Sequence, residues 1–412
     1  MKDSGIEWIG LLPASWRLNR MGSMFYERSE KVSDIDFPPL SVTMKGIIPQ
    51  LEHVAKSDDH FNRKLVRSGD FAINSRSDRR NSCGFSFTDG SVSLINTVLV
   101  PLVSMNSRYY EYLFKTVQFA DEYYRLGHGI VNDLWTTKWI DAKRIELPLS
   151  SSEEQQIIAD YLDKKCAEID KAIDAAKASI EEYKLYKKSV IFQAVTKGLD
   201  HNVPMKDSGE LWLGSIPENW DVVYPKALFV PRKEKARPDD IMLTASQHYG
   251  MIPQDKFIKK QSYTPVAVGK GHDILKHVEP DDFVISMRSF QGGLEYCRIR
   301  GKMSSAYIAL EVTDDRVNPE YFKWLLKSER YIEMLQSTTN LVRDGQALRF
   351  ANIIQGNLPL PPDAEQERIA SFLDLKCEEI DRAVEAKQQI IDELKAYKKS
   401  LIWEVVTGKR EV

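Results

Sequence analysis

The chain has little cysteine, only four in 412 residues, and no two of them form a CxxC pair. That excludes a disulfide-stapled scaffold and a zinc ribbon, and it suits a reducing cytoplasm, where the chain is expected to work. Long apolar runs are missing as well. The longest candidate, around residues 94–105, is shorter than the ~18 residues that span a bilayer and holds Asn96, Pro101 and Ser104. The first residues, MKDSGIEWIG, lack the apolar core of a signal peptide. Also missing are a GxGxxG turn, a phosphate-binding P-loop and an HExxH pair. The seven histidines stand out of metal-ligand spacing, so neither a metal nor a catalytic residue is assigned.

A strong excess of one charge is absent too, the net charge being −3. Its distribution is uneven. Residues 1–150 hold 19 Lys and Arg against 18 Asp and Glu, and residues 201–360 hold 21 against 20. The stretches 151–200 and 361–412 are acidic, at 8 against 10 and 9 against 12. Any nucleic-acid contact must come from local basic patches in the two larger segments. The tetrapeptide NPEY from Asn318 comes near the Asn-Pro-Pro-Tyr motif of adenine methyltransferases. It lacks the second proline, and no glycine-rich cofactor loop precedes it. It reads instead as a helix start, with Asn318 at the N-cap and Pro319 at the first helical position.

What is present is a repeat. MKDSGIEWIGLLPASW at Met1 returns 204 residues later as MKDSGELWLGSIPENW at Met205, so that Trp8, Gly10, Pro13 and Trp16 fall on Trp212, Gly214, Pro217 and Trp220. GIIPQ at Gly46 returns as GMIPQ at Gly250, and GDFAINSR at Gly69 has an echo in DDFVISMR at Asp281. LPLSSSEEQQIIADYLDKKCAEID at Leu147 returns as LPLPPDAEQERIASFLDLKCEEID at Leu358. The predicted organisation is 1–150, a globular domain; 151–199, a long helix; 200–361, a second globular domain; and 362–412, a second long helix. Short β-branched runs with Gly, Asn, Asp and Pro punctuation, plus helical stretches, make each globular part α+β.

The two long segments hold almost no Gly or Pro. Leu162, Ile169, Ile173, Ile180 and Tyr183 lie on a seam of alternating three- and four-residue spacing, as do Leu373, Ile380, Val384, Ile391 and Leu394. That pattern predicts a coiled coil. A helix of ~40 residues is roughly 60 Å long and needs a partner, most simply the other copy. Antiparallel pairing would relate the halves by a pseudo-twofold axis. Cys166 and Cys377 sit in the seam and read as small buried apolar residues rather than a redox or metal site.

Candidate reading residues come from basic and polar loops at matching places in the halves. In the first half these are Lys45, Arg63, Lys64, Arg76, Arg79, Arg80, Asn81, His128 and Asn132. In the second they are Gln247, His248, Tyr249, Arg288, Gln291, Arg298, Arg300, Arg343, Gln346 and Arg349. Arginine can grip guanine bidentately, Asn and Gln can read adenine, and Lys or Arg can neutralise phosphate. Charge runs are commonly just solvated loops; their recurrence in both halves favours DNA contact.

The stretch LPLPPDAEQERIASFLD, continuing through EIDRAV and IIDELKAYKKSLIWEVVTGK, resembles the helical region of the specificity subunit of type I restriction–modification systems. DSGIEWIGLLPASW and DSGELWLGSIPENW resemble the start of that family's target-recognition domains. The resemblance covers the whole chain. It implies that each globular domain reads half of a bipartite, asymmetric sequence in double-stranded DNA, and that the helices set the unread spacer and dock two methylation subunits. It implies a non-catalytic chain binding no cofactor itself. S-adenosylmethionine would belong to the methylation subunits, which act on adenine N6, and ATP and Mg to restriction subunits. A coiled-coil adaptor with protein-binding ends and a self-sufficient DNA-modifying enzyme are the alternatives.

Overall fold

The computed structural model describes residues 1–50, 60–129, 135–246, 249–261, 274–286, 294–338 and 350–412. The chain divides into two compact units, Met1–Lys177 with Gln389–Val412, and Ala178–Gln388. Both boundaries fall inside long helices, Ser152–Lys197 and Asp363–Val406, each continuous from end to end.

In the first unit a four-stranded antiparallel sheet runs in the order Cys83–Phe85, Phe71–Asn74, Asn96–Pro101, Phe25–Glu27. The strand Phe71–Asn74 is buried along its whole length, which is why it reads as an apolar run rather than an alternation. A second sheet pairs Gly90–Ser93 with Arg63–Val66 and Lys31–Val32. The hairpin Leu40–Thr43 and Gly46–Pro49 packs on it. Gly90 is required there, because a Cβ at that position would lie 2.6 Å from the Pro38 carbonyl. Two helices follow, Ser107–Phe114 and Val117–Arg125. Asn106 caps the first by accepting from the Tyr109 N–H, and Thr116 restarts the second by accepting from Phe119.

The second unit repeats this plan. Its four-stranded sheet runs Glu295–Tyr296, Phe283–Ser286, Tyr307–Val312, Phe229–Pro231. Lys276–Val278 pairs with Gly301–Met303, and the hairpin is Leu243–Ser246 with Gly250–Pro253. Gly301 meets the Ile241 carbonyl as Gly90 meets that of Pro38, and a Cβ there would again lie 2.6 Å from the oxygen. Asn318 caps Pro319–Leu325 through the Glu320 N–H, with Pro319 in the first turn, and Glu329–Ser337 follows.

Each globular part is bolted to helix in the same way. In the first unit the Tyr109 hydroxyl donates to the Val406 carbonyl at 2.8 Å, and in the second Tyr321 donates to Val195 at 2.8 Å. Both acceptors lie in a last helical turn, where carbonyls lack intrahelical partners. Buried Gln155 accepts from the Asn106 N–H and donates to the Ser150 carbonyl. Gln366 does the same for Asn318 and Pro361. The Tyr112 hydroxyl donates to Asp163, and the Trp324 indole donates to its counterpart Asp374. Trp16 and Trp220 are both fully buried in their units.

Helix pairs with helix inside each unit. Lys398 reaches Asp170 at 2.7 Å in the first and Lys187 reaches Asp381 at 2.7 Å in the second. Within the first unit Tyr109 joins the start of one helix to Val406, while Lys398 meets Asp170 further along; the segments therefore run antiparallel. Within the second, Tyr321 lies between Val195 and Glu365 while Lys187 meets Asp381, giving the same direction. Of the seam residues, Leu162, Ile169, Ile173, Ile180, Leu373, Ile380 and Ile391 are buried, with Tyr183, Val384 and Leu394 half-buried. Cys166 and Cys377 are buried free thiols. Burial pushes both thiols up, Cys377 to about 11, so they stay protonated and unreactive at neutral pH.

Candidate nucleic-acid interface

In the first unit two of the loops singled out from sequence come together. The turn after Phe71–Asn74 carries Arg76, Arg79, Arg80 and Asn81, and ends at the strand Cys83–Phe85. It is stitched to the segment around His128 and Thr136. Arg76 pairs with Thr136 and His128 with Thr136 in β-bridges, and the Ser77 N–H donates to the Trp135 carbonyl at 3.0 Å. Trp135 in turn donates its indole N–H to the Tyr124 carbonyl at 2.7 Å and packs over Gly127, leaving no room for a Cβ there.

Arg79 is exposed and pairs only loosely with Asp78, at 3.6 Å. Arg80 is held by Asp121 and lies over the Tyr124 ring at 5.6 Å. Asn81 takes a positive φ of 61°, a region that asparagine tolerates well, and donates to the Lys115 carbonyl. His128 is exposed, 3.4 Å from Asp141. Lys45 stands exposed at the tip of the hairpin.

Arg63 and Lys64 are placed otherwise than a DNA-reading role needs. Arg63 is buried and spends its guanidinium on the Ser91 hydroxyl and carbonyl, at 2.8 and 3.0 Å. Lys64 bonds Glu27 and the Asn96 carbonyl. Its counterpart Lys276 bonds the Tyr307 carbonyl at the start of the equivalent strand, so this lysine is part of the framework in both units. These adjacent side chains point to opposite faces of the strand, and each is taken up by its neighbours there, which a count of basic residues could not anticipate.

In the second unit Tyr249 occupies the hairpin-tip position that Lys45 holds in the first, each directly before the hairpin glycine, Gly250 or Gly46. The return of GIIPQ as GMIPQ aligns Lys45 with Tyr249 in sequence, and the paired hairpins give them the same place. Arg298 is exposed, 2.9 Å from Glu320 and 5.0 Å over the Tyr296 ring. Arg300 pairs with Asp239 at 2.7 Å and Asp240 at 3.2 Å. Burial works against the Asp240 carboxylate, but the Arg237 N–H and His277 outweigh it and hold its pKa below the usual range. Asn132, Gln247, His248, Arg288, Gln291, Arg343, Gln346 and Arg349 lie outside the described residues.

The two units share a pair of braces that sequence reading missed. Arg28 grips Asp70 at 2.8 Å, and Arg232 grips Asp282 at 2.7 Å, both nearly buried. The carboxylates also take the Arg67 and Glu279 N–H groups, fixing the turn that enters the equivalent strands Phe71–Asn74 and Phe283–Ser286. The hydrogen bond to each aspartate raises the arginine pKa further. The signal was available as FYER at Phe25 returning as FVPR at Phe229. No group of His, Cys, Asp and Glu with metal-binding geometry occurs among the described residues.

The chain is 24% identical over 284 residues to the putative type I restriction enzyme MjaX specificity subunit of Methanocaldococcus jannaschii, covering 66% of this chain and 60% of that protein. It is 26% identical over 132 residues to the type I restriction enzyme EcoBI specificity subunit of Escherichia coli, covering 32% and 27%. No family model matches. A solved structure concerning complex assembly and conformational transition of the type I R-M system superposes with a TM-score of 0.72 at 15% identity, over 97% of this chain and 100% of that one. The crystal structure of the HsdS subunit from Thermoanaerobacter tengcongensis gives 0.56 at 15%, over 97% and 98%.

The chain is thus similar in sequence to type I specificity subunits and shares the fold of the solved ones. It spans about 60% of the length of the first of these curated relatives. The specificity-subunit fold accounts for the doubled arrangement seen here, an α+β domain and a long helix, each occurring twice.

Proposed function

We propose that this chain is the DNA-recognition subunit of a type I restriction–modification complex, each unit reading one half of a bipartite target. The observation that carries the reading is a framework built twice over with different side chains on its loops. The tyrosine bolt, the glutamine clamp and the Arg–Asp brace recur, while the hairpin tip carries Lys45 in one unit and Tyr249 in the other. A duplicated scaffold with divergent tips is what two unlike half-sites require.

In the first unit Arg76, Arg79, Arg80, Asn81, His128 and Lys45 are the candidate readers. In the second they are Tyr249, Arg298 and Arg300, with Arg288, Gln291, Arg343, Gln346, Arg349, Gln247 and His248 retained from the sequence, as Asn132 is for the first. The chain crosses between units only within the two long helices, which supports their role as the unread spacer. Two linked readers gain affinity through effective concentration that neither short half-site supplies alone.

Methylation of an adenine needs the base swung out of the stack into a pocket. That pocket, with S-adenosylmethionine, is assigned to two methylation subunits, and ATP and Mg to restriction subunits. The chain itself is assigned no catalysis. Sequencing the methylated genome of cells expressing this chain with its methylation partner tests the proposal. Two different short motifs separated by a gap of fixed length are expected, and whole helical turns inserted near residues 194–199 should change the gap alone. An unbroken motif would overturn the reading.

A further inference from the structure

The helix Gln254–Gln261 follows directly on the second unit's hairpin, and no candidate reader was assigned to it. Its sequence is QDKFIKKQ. Lys256, Lys259 and Lys260 stand at positions i, i+3 and i+4, which places all three on one face of the helix. All three are exposed. The single acid on the helix is Asp255, which lies off that face. None of the three lysines has a carboxylate partner among the described residues. In that respect they differ from Arg298 and Arg300, which are neutralised by Glu320 and by Asp239 and Asp240. The Lys260 ammonium lies over the Tyr249 ring, 4.5 Å from its centroid, so the lysine face borders the hairpin tip.

Three uncompensated ammonium groups on one helical face repel one another, and a row of phosphates relieves that repulsion. Lysine suits this contact because it acts as a point charge with no bidentate geometry and so reads no base. The corresponding stretch of the first half, LEHVAKSDD from Leu51, carries one lysine against Glu52, Asp58 and Asp59. The feature therefore belongs to the second half alone.

We infer that Lys256, Lys259 and Lys260 form a sequence-independent phosphate clamp beside Tyr249, giving the second unit the larger electrostatic share of DNA binding. This rests on the DNA-recognition reading above. The test measures the full-length chain against two labelled duplexes across a potassium chloride series, one carrying the site methylated in cells and one scrambled. Each phosphate contact contributes about 0.9 to the slope of log affinity against log salt. Replacing the three lysines together by glutamine should flatten that slope by about 2.7 on both duplexes, while the methylated sequence stays the same. A triple Lys→Arg variant should keep the wild-type slope. An unchanged slope in the glutamine variant overturns the clamp, as does a loss confined to the cognate duplex. If the wild-type chain itself shows no preference for the methylated site, the DNA-recognition reading fails first.

Discussion

The two units are one framework carrying two different surfaces. The buried braces recur: Tyr109 with Tyr321, Gln155 with Gln366, Arg28 and Asp70 with Arg232 and Asp282. The exposed parts do not. Lys45 of the first unit corresponds to Tyr249 of the second, and the helix with three exposed lysines has an acidic stretch as its counterpart in sequence. A duplicated chain is held to its ancestor where side chains must satisfy one another in the dark, and is free to change where water satisfies them.

The sharpest way to break this equivalence is at the buried tryptophans. Trp220 donates its indole N–H to Glu365 at 2.9 Å, whereas the Trp16 indole N–H has no partner among the described residues. Truncating either to alanine should cost about 3–5 kcal/mol. Trp220→Ala should be the worse by about 1.5–3 kcal/mol, the worth of a hydrogen bond to a charged acceptor. Denaturant unfolding of the two variants decides it, and equal losses would remove the distinction. The Arg–Asp braces should behave alike. Arg28→Ala and Arg232→Ala each strand a buried carboxylate and should cost about 3–5 kcal/mol. A large difference between them in the same unfolding experiment would show that one brace is dispensable.

Smaller effects separate the surfaces. Arg79→Ala should cost about 1–3 kcal/mol of target binding and relax one base of a single half-site, leaving the other half-site intact. Methylome sequencing reads the outcome, and relaxation in both halves would contradict independent readers. Tyr109→Phe and Tyr321→Phe each remove one hydrogen bond to a helix-end carbonyl. About 0.5–1.5 kcal/mol should be lost, equally in both, by thermal unfolding. Smallest of all, Lys398→Gln and Lys187→Gln break ion pairs whose aspartates are more than half exposed. Each should cost about 0.2–1 kcal/mol, fading as salt is added.

The helices were legible because their seam is periodic: Leu162, Ile169, Ile173 and Ile180 fall on the buried side as spacing predicts. The helix start at Asn318-Pro319 was legible because N-cap chemistry is local. Arg63 and Lys64 were misplaced by sequence because inward or outward orientation in a strand depends on which neighbour it pairs with, and that neighbour lies about thirty residues away in the chain. The Arg28–Asp70 brace was hidden for the same reason, its partners being 42 residues apart.

By itself the sequence determined the duplication, the two long helices, their apolar seam and the order of globular part and helix along the chain. All of these follow from residue spacing and local caps, which act over a turn or two of chain. Tertiary structure alone decided which basic side chains are spent inside and which loops meet. Those outcomes depend on contacts between segments far apart in the chain, where sheet register and burial, rather than local preference, set the direction of each side chain.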